Sequence, residues 1–243
     1  MSQRKSRIIV SLTSYNRRLK NLHLVIDSIL NQSLKPDKIV LVLYDNDIKY
    51  ISLEIKKLID NNIIELIVCD LDLKGHKKYF YTMSKYKDDI IITIDDDVIY
   101  SKDTISTLYN TYLKHKTCVC GRRVHRIIKG KRYNDWEHEC TNILNPSMEL
   151  FCSGVGGILY PPNILNIDKV SIDDIYECIN ADDVFLKHLQ LKNGVNVVWA
   201  VNDKPHPKMI YKSLFDNMFS LSYKNVLKGE NDNYIKKFNI YEE

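Results

Sequence analysis

The chain has 243 residues, a formal net charge of +4 and a sequence isoelectric point near 8.6. This length suits one large α/β domain or two small ones. The charge excess is too small for the basic stripe of a nucleic-acid-binding protein, so no nucleic-acid partner is expected. No apolar run approaches the roughly 18 residues of a membrane span, and the N-terminal run is too short for a signal peptide. We therefore expect a cytoplasmic protein, with any membrane contact peripheral and at the inner face of the membrane.

The first half of the sequence alternates apolar runs with segments of helical periodicity. The runs IIVSL and DIIITI are rich in β-branched residues, which is typical of strands buried on both faces. Strands are predicted at 8–12, 38–44, 63–69, 89–94 and 117–120, and helices at 19–31, 51–60, 76–87 and 103–114. This alternation predicts an α/β fold with a mainly parallel sheet flanked by helices.

The second half of the sequence is less regular. Residues 121–150 have weak periodicity. A strand is predicted within 156–162, a helix over 181–190, a strand over 196–201 and a last helix over about 213–228. No composition shift marks a linker between the two halves, so we predict a single domain over 1–243.

Three consecutive aspartates, Asp95, Asp96 and Asp97, follow the fourth predicted strand without a spacer. Ligands of open parallel sheets bind beyond the carboxyl ends of the strands. Adjacent carboxylates repel one another unless a cation or hydrogen-bond donors neutralise them, and oxygen ligands suit Mg²⁺ or Mn²⁺. An EF-hand calcium loop is excluded, because its glycine would fall on Tyr100 and its last glutamate on Ser106. An exposed acidic turn without a ligand is the alternative.

Five segments resemble a bacterial, family-2-like group of GT-A glycosyltransferases. IIITIDDDVIY resembles their D-x-D segment, and the others follow in family order. These others are IVSLTSYNRR (9–18), SILNQSLKPDKIVLVLY (28–44), CSGVGGILYPP (152–162) and ADDVFLKHL (181–189). The resemblance implies a GT-A fold, a nucleotide-sugar donor (a UDP-sugar above others) and a divalent metal. It divides the domain into a nucleotide-sugar-binding half, about 1–120, and an acceptor-binding half with a C-terminal helix, about 121–243.

The resemblance also implies roles for residues on the donor side. Asp97 would ligate the metal, and Asp95 would face the ribose or reach the metal through water. His206 is a further candidate metal ligand, with an exposed loop histidine as the alternative. The donor-binding residues implied in this way are Thr13, Tyr15, Arg17, Asp45, Lys78, Asp95 and Asp96. Lys78 is preferred over its neighbours His76 and Lys77.

The glycine segment SGVGG borders donor sugar and acceptor in the enzymes it resembles. It is not a dinucleotide fingerprint, because the spacing is G-x-G-G and a strand follows instead of a helix. Gly154, Gly156 and Gly157 would let the backbone approach a ligand closely, with a packing turn as the alternative. Trp136, like Tyr133, has an aromatic face suited to a sugar ring, and core packing is the alternative for both.

The acidic pair Asp182 and Asp183 opens the helix predicted over 181–190. The segment resembles the motif that supplies the general base of inverting GT-A enzymes, and Asp183 corresponds to its second acidic residue. Neighbouring residues on a helix point about 100° apart, so Asp182 would orient a neighbour or cap the helix. A pair that only interacts with the helix dipole is the alternative.

These features predict a metal-dependent glycosyltransferase of the hexosyltransferase type. It would move a sugar from a nucleoside-diphosphate sugar to a glycan or lipid-linked acceptor, in bacterial surface polysaccharide synthesis. One alternative is a sugar nucleotidyltransferase, although TSYNRR lacks the glycines expected after the first strand of that class. A non-catalytic sugar-nucleotide-binding protein is the other. The residues leave inversion and retention of the anomeric configuration open.

Overall fold

The computed structural model describes residues 6–201, 208–210 and 229–240. Its centre is a seven-stranded sheet. The sheet strands are β1 (Ile8–Thr13), β2 (Lys38–Tyr44), β3 (Ile64–Cys69), β4 (Ile90–Thr93), β6 (Val119–Gly121), β9 (Ile158–Tyr160) and β10 (Val197–Trp199). They are ordered β10-β6-β9-β4-β1-β2-β3, and β9 alone runs antiparallel to its two neighbours. The sequence halves therefore share one sheet, since β9 and β10 come from the second half.

Helices cover both faces of this sheet. They are α1 (Leu22–Leu30), α2 (Leu53–Asp60), α3 (Lys77–Lys85), α4 (Thr104–Lys114), α5 (Ile172–Tyr176), α6 (Asp182–Lys192) and α7 (Glu230–Lys237). Alternate residues of β1 enter two separate cores, Ile9 on one face and Val10 on the other. Tyr79 of α3 and Phe185 of α6 pack into the first core, and Leu108 of α4 packs into the second. The resulting order of layers is helix, sheet, helix.

Two short antiparallel pairs lie outside the main sheet. β5 (Val98–Ile99) pairs with β11 (Lys208–Met209), and β7 (Val124–Arg126) pairs with β8 (Leu150–Cys152). The first pair begins one residue after the triple aspartate, and the second encloses the irregular segment between β7 and β8. Both pairs therefore border the carboxyl edge of the sheet, where the candidate site lies.

The predicted fold class is confirmed, and the differences concern short elements. The helix expected over 19–31 is preceded by a 3-10 turn, Asn16–Lys20, and begins at Leu22. Within 121–150 the sequence did not predict β7 or β8, and α7 was also not predicted. The helix expected over about 213–228 lies outside the described residues. None of the helices in the described part of the chain is long and apolar enough to cross a membrane.

Candidate active site

A cavity of about 1050 Å³ opens at the carboxyl edge of the sheet. The ends of β1 and β4, the start of α3 and the start of α6 all reach it. Its charged side chains come from these elements and from two loops: Arg18, Asp72, Lys74, Lys77, Lys78, Asp95, Asp96, Asp97, Arg123, Asp182 and Asp183. The triple aspartate and the acidic pair, 85 residues or more apart in sequence, therefore face one space.

Each residue of the triple aspartate has a different partner. Asp95 accepts a hydrogen bond from Lys78 Nζ at 2.7 Å. Asp96 accepts from Ser14 Oγ at 2.6 Å and from Arg18 Nη1 at 2.6 Å. Asp97 Oδ2 lies 3.0 Å from Arg18 Nη2. Burial, together with the charges of Asp95 and Asp96, raises the pKa of Asp97 to about 6 in spite of Arg18.

Arg18 reaches the aspartates because of the turn that follows β1. Asn16 has a left-handed φ of 48°, and its N–H donates to Asp47 Oδ1 at 2.9 Å. The 3-10 turn then places residues three apart on one face, so Arg18 lies beside Tyr15, with its guanidinium carbon 5.4 Å from the ring centroid. Arg17 points to solvent and does not line the cavity.

Lys78 connects the two acidic groups. Its Nζ lies 2.7 Å from Asp95 Oδ1 and 2.9 Å from Asp182 Oδ2. Burial opposes its charge, but Asp182 and Asp95 raise the pKa of Lys78 well above its usual value. The neighbours have other partners: Lys77 pairs with Asp72, and buried His76 contacts Tyr79 and the Cys178 carbonyl oxygen. Lys78 is thus the one of these three that bridges the acidic groups.

The aspartates of the acidic pair differ in their surroundings. Burial opposes ionisation of Asp182, but the charge of Lys78 lowers the pKa of that carboxyl. Asp183 Oδ2 accepts the Gly154 N–H at 2.9 Å, whereas its buried Oδ1 has no hydrogen-bond partner among the described residues. Burial and the charge of Asp182 raise the pKa of Asp183 to about 7. Asp183 is therefore a carboxyl with one oxygen that is buried without a partner among the described residues, and with a pKa near neutral pH.

Two glycines allow the close approach of these groups. A Cβ on Gly154 would lie 3.0 Å from Asp183 Oδ1 and 3.3 Å from Lys78 Nζ. A Cβ on Gly75, which precedes α3, would lie 2.8 Å from the Asp182 carboxyl carbon. Gly156 and Gly157 pack instead behind the cavity, against Arg123 and α4. A side chain at Gly75 or Gly154 would force the ion-pair network apart.

The opposite wall of the cavity is aromatic and polar. Tyr133 packs against Trp136 and Phe151, with ring centroids 5.1 and 5.8 Å away, and lines the cavity. Trp136 is only 4 % exposed and does not line it. The Tyr133 N–H donates to Asp232 Oδ1 in α7 at 2.7 Å, and the neighbouring Asn231 turns towards the cavity. This wall therefore combines a ring edge with a neutral amide.

The fold places some of the remaining donor-side candidates at the cavity and others away from it. Thr13 and Tyr15 line the cavity, with Tyr15 43 % exposed. Asp45 is exposed in the turn after β2 and lies away from it. His206 lies outside the described residues. The sequence reasoning missed Arg18 and Asn231, because no local sequence pattern singles out either residue.

A divalent metal would find part of a ligand set here. Carboxylate oxygens are the ligands that Mg²⁺ and Mn²⁺ prefer, and Asp95 and Asp97 both face the cavity. Over the described ranges, no three acidic, histidine or cysteine side chains lie close enough together to hold a metal ion. The residues therefore fit an ion bound by one or two carboxylates plus substrate phosphates and water, and they do not form a complete protein cage.

Comparison with known families places this site in a context. Residues 9–164, more than half of the chain, match the model of glycosyl transferase family 2. The chain belongs to glycosyl transferase family 2. The matched segment includes the first βα loop, the triple aspartate and the glycine segment. No curated protein matches the sequence at a significant level.

Solved structures support the GT-A fold at low sequence identity. A mannosyltransferase from Pyrobaculum calidifontis, in complex with GDP-Man and Mn²⁺, has a TM-score of 0.61 and 13 % identity over 96 % of this chain and 65 % of that one. S. aureus TarS in complex with UDP has a TM-score of 0.56 and 15 % identity over 83 % and 59 %. This family member thus spans less than two thirds of either glycosyltransferase chain.

Nucleotidyltransferases share the same sheet. The 4-diphosphocytidyl-2C-methyl-D-erythritol synthase from Anaerococcus prevotii has a TM-score of 0.53 and 12 % identity over 90 % of this chain and 96 % of that one. Such identities show the fold alone. The family match therefore supports a transferase, and the choice of substrates depends on the site.

Proposed function

We propose that the protein transfers a sugar from a nucleoside-diphosphate sugar to a hydroxyl of a glycan or lipid-linked acceptor. The observation that carries the proposal is the convergence of Asp95, Asp97 and Asp183 on one cavity, bridged by Lys78. A donor diphosphate requires cationic and metal partners, and an acceptor hydroxyl requires a base. Side chains of both kinds line this single space, which supports the proposal.

On the donor side, Tyr15 and Thr13 would contact the nucleoside, since both line the cavity beyond β1. Arg18 and Lys78 supply positive charge near the diphosphate. Asp97, with Asp95, would hold Mn²⁺ or Mg²⁺, consistent with the Mn²⁺ bound in the mannosyltransferase of the same fold. When bound, such an ion neutralises charge that develops on the leaving diphosphate.

On the acceptor side, Asp183 is the proposed general base. Its Oδ2 is fixed by the Gly154 N–H, and its buried Oδ1, which has no hydrogen-bond partner among the described residues, is the oxygen proposed to accept the hydroxyl proton. A base with a pKa near the working pH combines a useful fraction of ionised carboxylate with strong proton affinity. Asp182 is a positioning residue, because Lys78 anchors it and its charge increases the basicity of Asp183.

The aromatic wall is the proposed acceptor surface. Tyr133 and Asn231 offer a ring edge and an amide, groups that suit the apolar face and the hydroxyls of a sugar. Burial and the nearby charge of Asp183 raise the pKa of the Tyr133 hydroxyl, so this surface lies on the Asp183 side of the cavity. An acceptor there would present its hydroxyl to Asp183 and to the donor carbon.

A donor screen tests the proposal. Thermal unfolding is measured with UDP-, GDP- and CDP-sugars, each with and without Mn²⁺, for the wild type and for Asp97→Asn. A bound donor stabilises the protein by about 2.7 kcal/mol at a hundredfold excess over Kd. We expect stabilisation by one nucleotide class, strengthened by Mn²⁺ in the wild type and not in Asp97→Asn. A protein that no nucleotide sugar stabilises, with or without metal, is not this enzyme.

The rival function is nucleotidyl transfer. It is considered because the structural match to the Anaerococcus synthase covers nearly the whole of both chains. It requires a nucleoside triphosphate and releases pyrophosphate. Incubation with CTP or UTP and a panel of sugar 1-phosphates, followed by a pyrophosphate assay, separates the two reactions. We expect no pyrophosphate, because the first βα loop lacks the glycines that would let it enclose a triphosphate.

A further inference from the structure

Arg18 occupies a position that a metal ion would also need. Its Nη1 lies 2.6 Å from Asp96 Oδ1 and its Nη2 lies 3.0 Å from Asp97 Oδ2, so one planar fork spans two consecutive carboxylates. Asp97 is the proposed metal ligand. A guanidinium and a divalent cation on the same carboxylate repel each other, and an ion bound through Oδ2 of Asp97 requires Arg18 Nη2 to move away.

The contacts of the Arg18 guanidinium with Asp96 and with Asp97 differ in how firmly the carboxylate is held. Asp96 is 6 % exposed and is also held by Ser14 Oγ at 2.6 Å, which fixes the carboxylate that anchors Arg18 Nη1. Asp97 faces the cavity, and 24 % of the Arg18 side chain is exposed. The guanidinium can therefore turn about its contact with Asp96 and exchange Asp97 for another anion in the cavity. The diphosphate of a donor is such an anion.

We infer that Arg18 is an internal counter-ion of Asp97 in the donor-free protein and transfers its Nη2 contact to the donor diphosphate, so that metal alone binds weakly and nucleotide strengthens metal binding. The inference rests on the proposed function, since it takes Asp97 as a metal ligand and a diphosphate as the incoming anion. Arg18 acts on the metal through Asp97 and is a positioning residue for this site.

Direct metal titration tests the inference without an activity assay. Mn²⁺ binding is followed by electron paramagnetic resonance of the free ion, with and without UDP, GDP or CDP. The proteins are the wild type, Arg18→Gln, Arg18→Lys and Arg17→Gln. Arg17 is the matched control, because it is the adjacent arginine and is exposed outside the cavity. Asp97→Asn, alone and combined with Arg18→Gln, separates this site from other carboxylates that bind Mn²⁺.

We expect Arg18→Gln to bind Mn²⁺ without nucleotide about tenfold more tightly than the wild type. Arg18→Lys should show a smaller gain, because an ammonium cannot bridge both carboxylates. Arg17→Gln should match the wild type. Adding Asp97→Asn should abolish the gain, and the nucleotide should strengthen Mn²⁺ binding less in Arg18→Gln than in the wild type.

An unchanged or weaker affinity in Arg18→Gln, with a wild type that binds Mn²⁺ in the presence of a nucleotide, overturns this inference and leaves the proposed function in place. If Arg18→Gln fails to fold, Arg18→Lys decides by the same criterion. If neither protein binds Mn²⁺ with any of the three nucleotides, the metal dependence fails and the inference fails with it.

Discussion

Two regions of helix α6 bury ionisable groups that have no ion-pair partner in the described part of the chain. At its start, Asp183 lines the cavity, and the Gly154 N–H is its one hydrogen-bond donor among the described residues. One turn later, the Lys187 Nζ donates to the carbonyl oxygens of Met148 and Leu150, below the cavity. Burial raises the pKa of Asp183 to about 7, with Asp182 adding to the effect, and lowers the pKa of Lys187 to about 8. In both groups the loss of solvation favours the uncharged form of the side chain.

The ion-paired groups of the cavity behave in the opposite way. Lys78 keeps its charge because Asp95 and Asp182 lie within 3 Å of it, and Asp182 keeps its charge because of Lys78. A perturbed pKa alone therefore does not identify a catalytic group, since Lys187 has one and does not line the cavity of the candidate active site. Asp183 is distinguished by its location beside the triple aspartate.

The largest effect is expected at Asp183. Asp183→Asn preserves the shape of the side chain and its contact with the Gly154 N–H but removes the proton acceptor. A positioned general base contributes about 10²–10⁴-fold, so sugar transfer should fall by that factor. Donor and Mn²⁺ binding, measured by thermal shift, should stay within twofold of the wild type, because Asp183 contacts neither in the proposed arrangement.

Asp182→Asn is the matched control for this substitution. It should slow transfer less, since Asp182 acts through Lys78 and through the basicity of its neighbour. If Asp182→Asn silences the enzyme and Asp183→Asn does not, the roles of base and positioning residue are reversed. Full activity in both variants would mean that the acidic pair has no catalytic role and only interacts with the helix dipole.

The second effect is on stability and concerns Lys78. Lys78→Met leaves the carboxylates of Asp95 and Asp182 without their common cation. Breaking a buried ion pair costs about 3–5 kcal/mol, and we expect the lower end, because Asp95 and Asp182 are partly open to the cavity. Urea unfolding measures the change in the free energy of unfolding.

Lys87→Met supplies the reference for this measurement. Lys87 pairs with Asp168 at 2.6 Å, but each side chain is about half exposed. Exposed pairs contribute at most about 1 kcal/mol, so this variant should stay close to the wild type. Equal losses in the two variants would show that Lys78 and its aspartates have no special role in the folded cavity.

Parts of this arrangement followed from the sequence because they depend on local pattern. The apolar run before Asp95 requires a buried strand, and a strand end at the carboxyl edge is where a ligand site forms. The role of Arg18 could not be predicted, because the direction of its side chain depends on the left-handed Asn16 and on the contact of Asn16 with Asp47, 31 residues away. The position of Asn231 could not be predicted either. The α7 sequence ENDNYIKK is mostly polar, and the helix is held by contacts to Tyr133 and Asn180.

The smallest effect is on the pH dependence of stability and concerns Lys187. Its folded pKa of about 8 lies below the ordinary value of 10.5 because of burial. Above the unfolded pKa both states are neutral and the penalty vanishes. As pH falls from the unfolded pKa towards the folded pKa, the unfolded chain takes up a proton before the buried amine does, and stability is lost until the folded protein is protonated as well. The wild type should therefore gain about 2 kcal/mol from this group between about pH 7 and pH 9.5.

Lys187→Met isolates that contribution, because it removes the titrating amine and retains an unbranched side chain. The difference in free energy of unfolding between wild type and variant, measured by urea at each pH, should change by about 2 kcal/mol in favour of the wild type as pH rises to about 9.5. Comparing the two proteins removes the other groups that titrate in this range, including the tyrosines. A difference that is constant with pH would mean that Lys187 remains charged in the fold. In that case burial without a counter-ion would not shift Lys187, and the same argument for the raised pKa of Asp183 would lose its support.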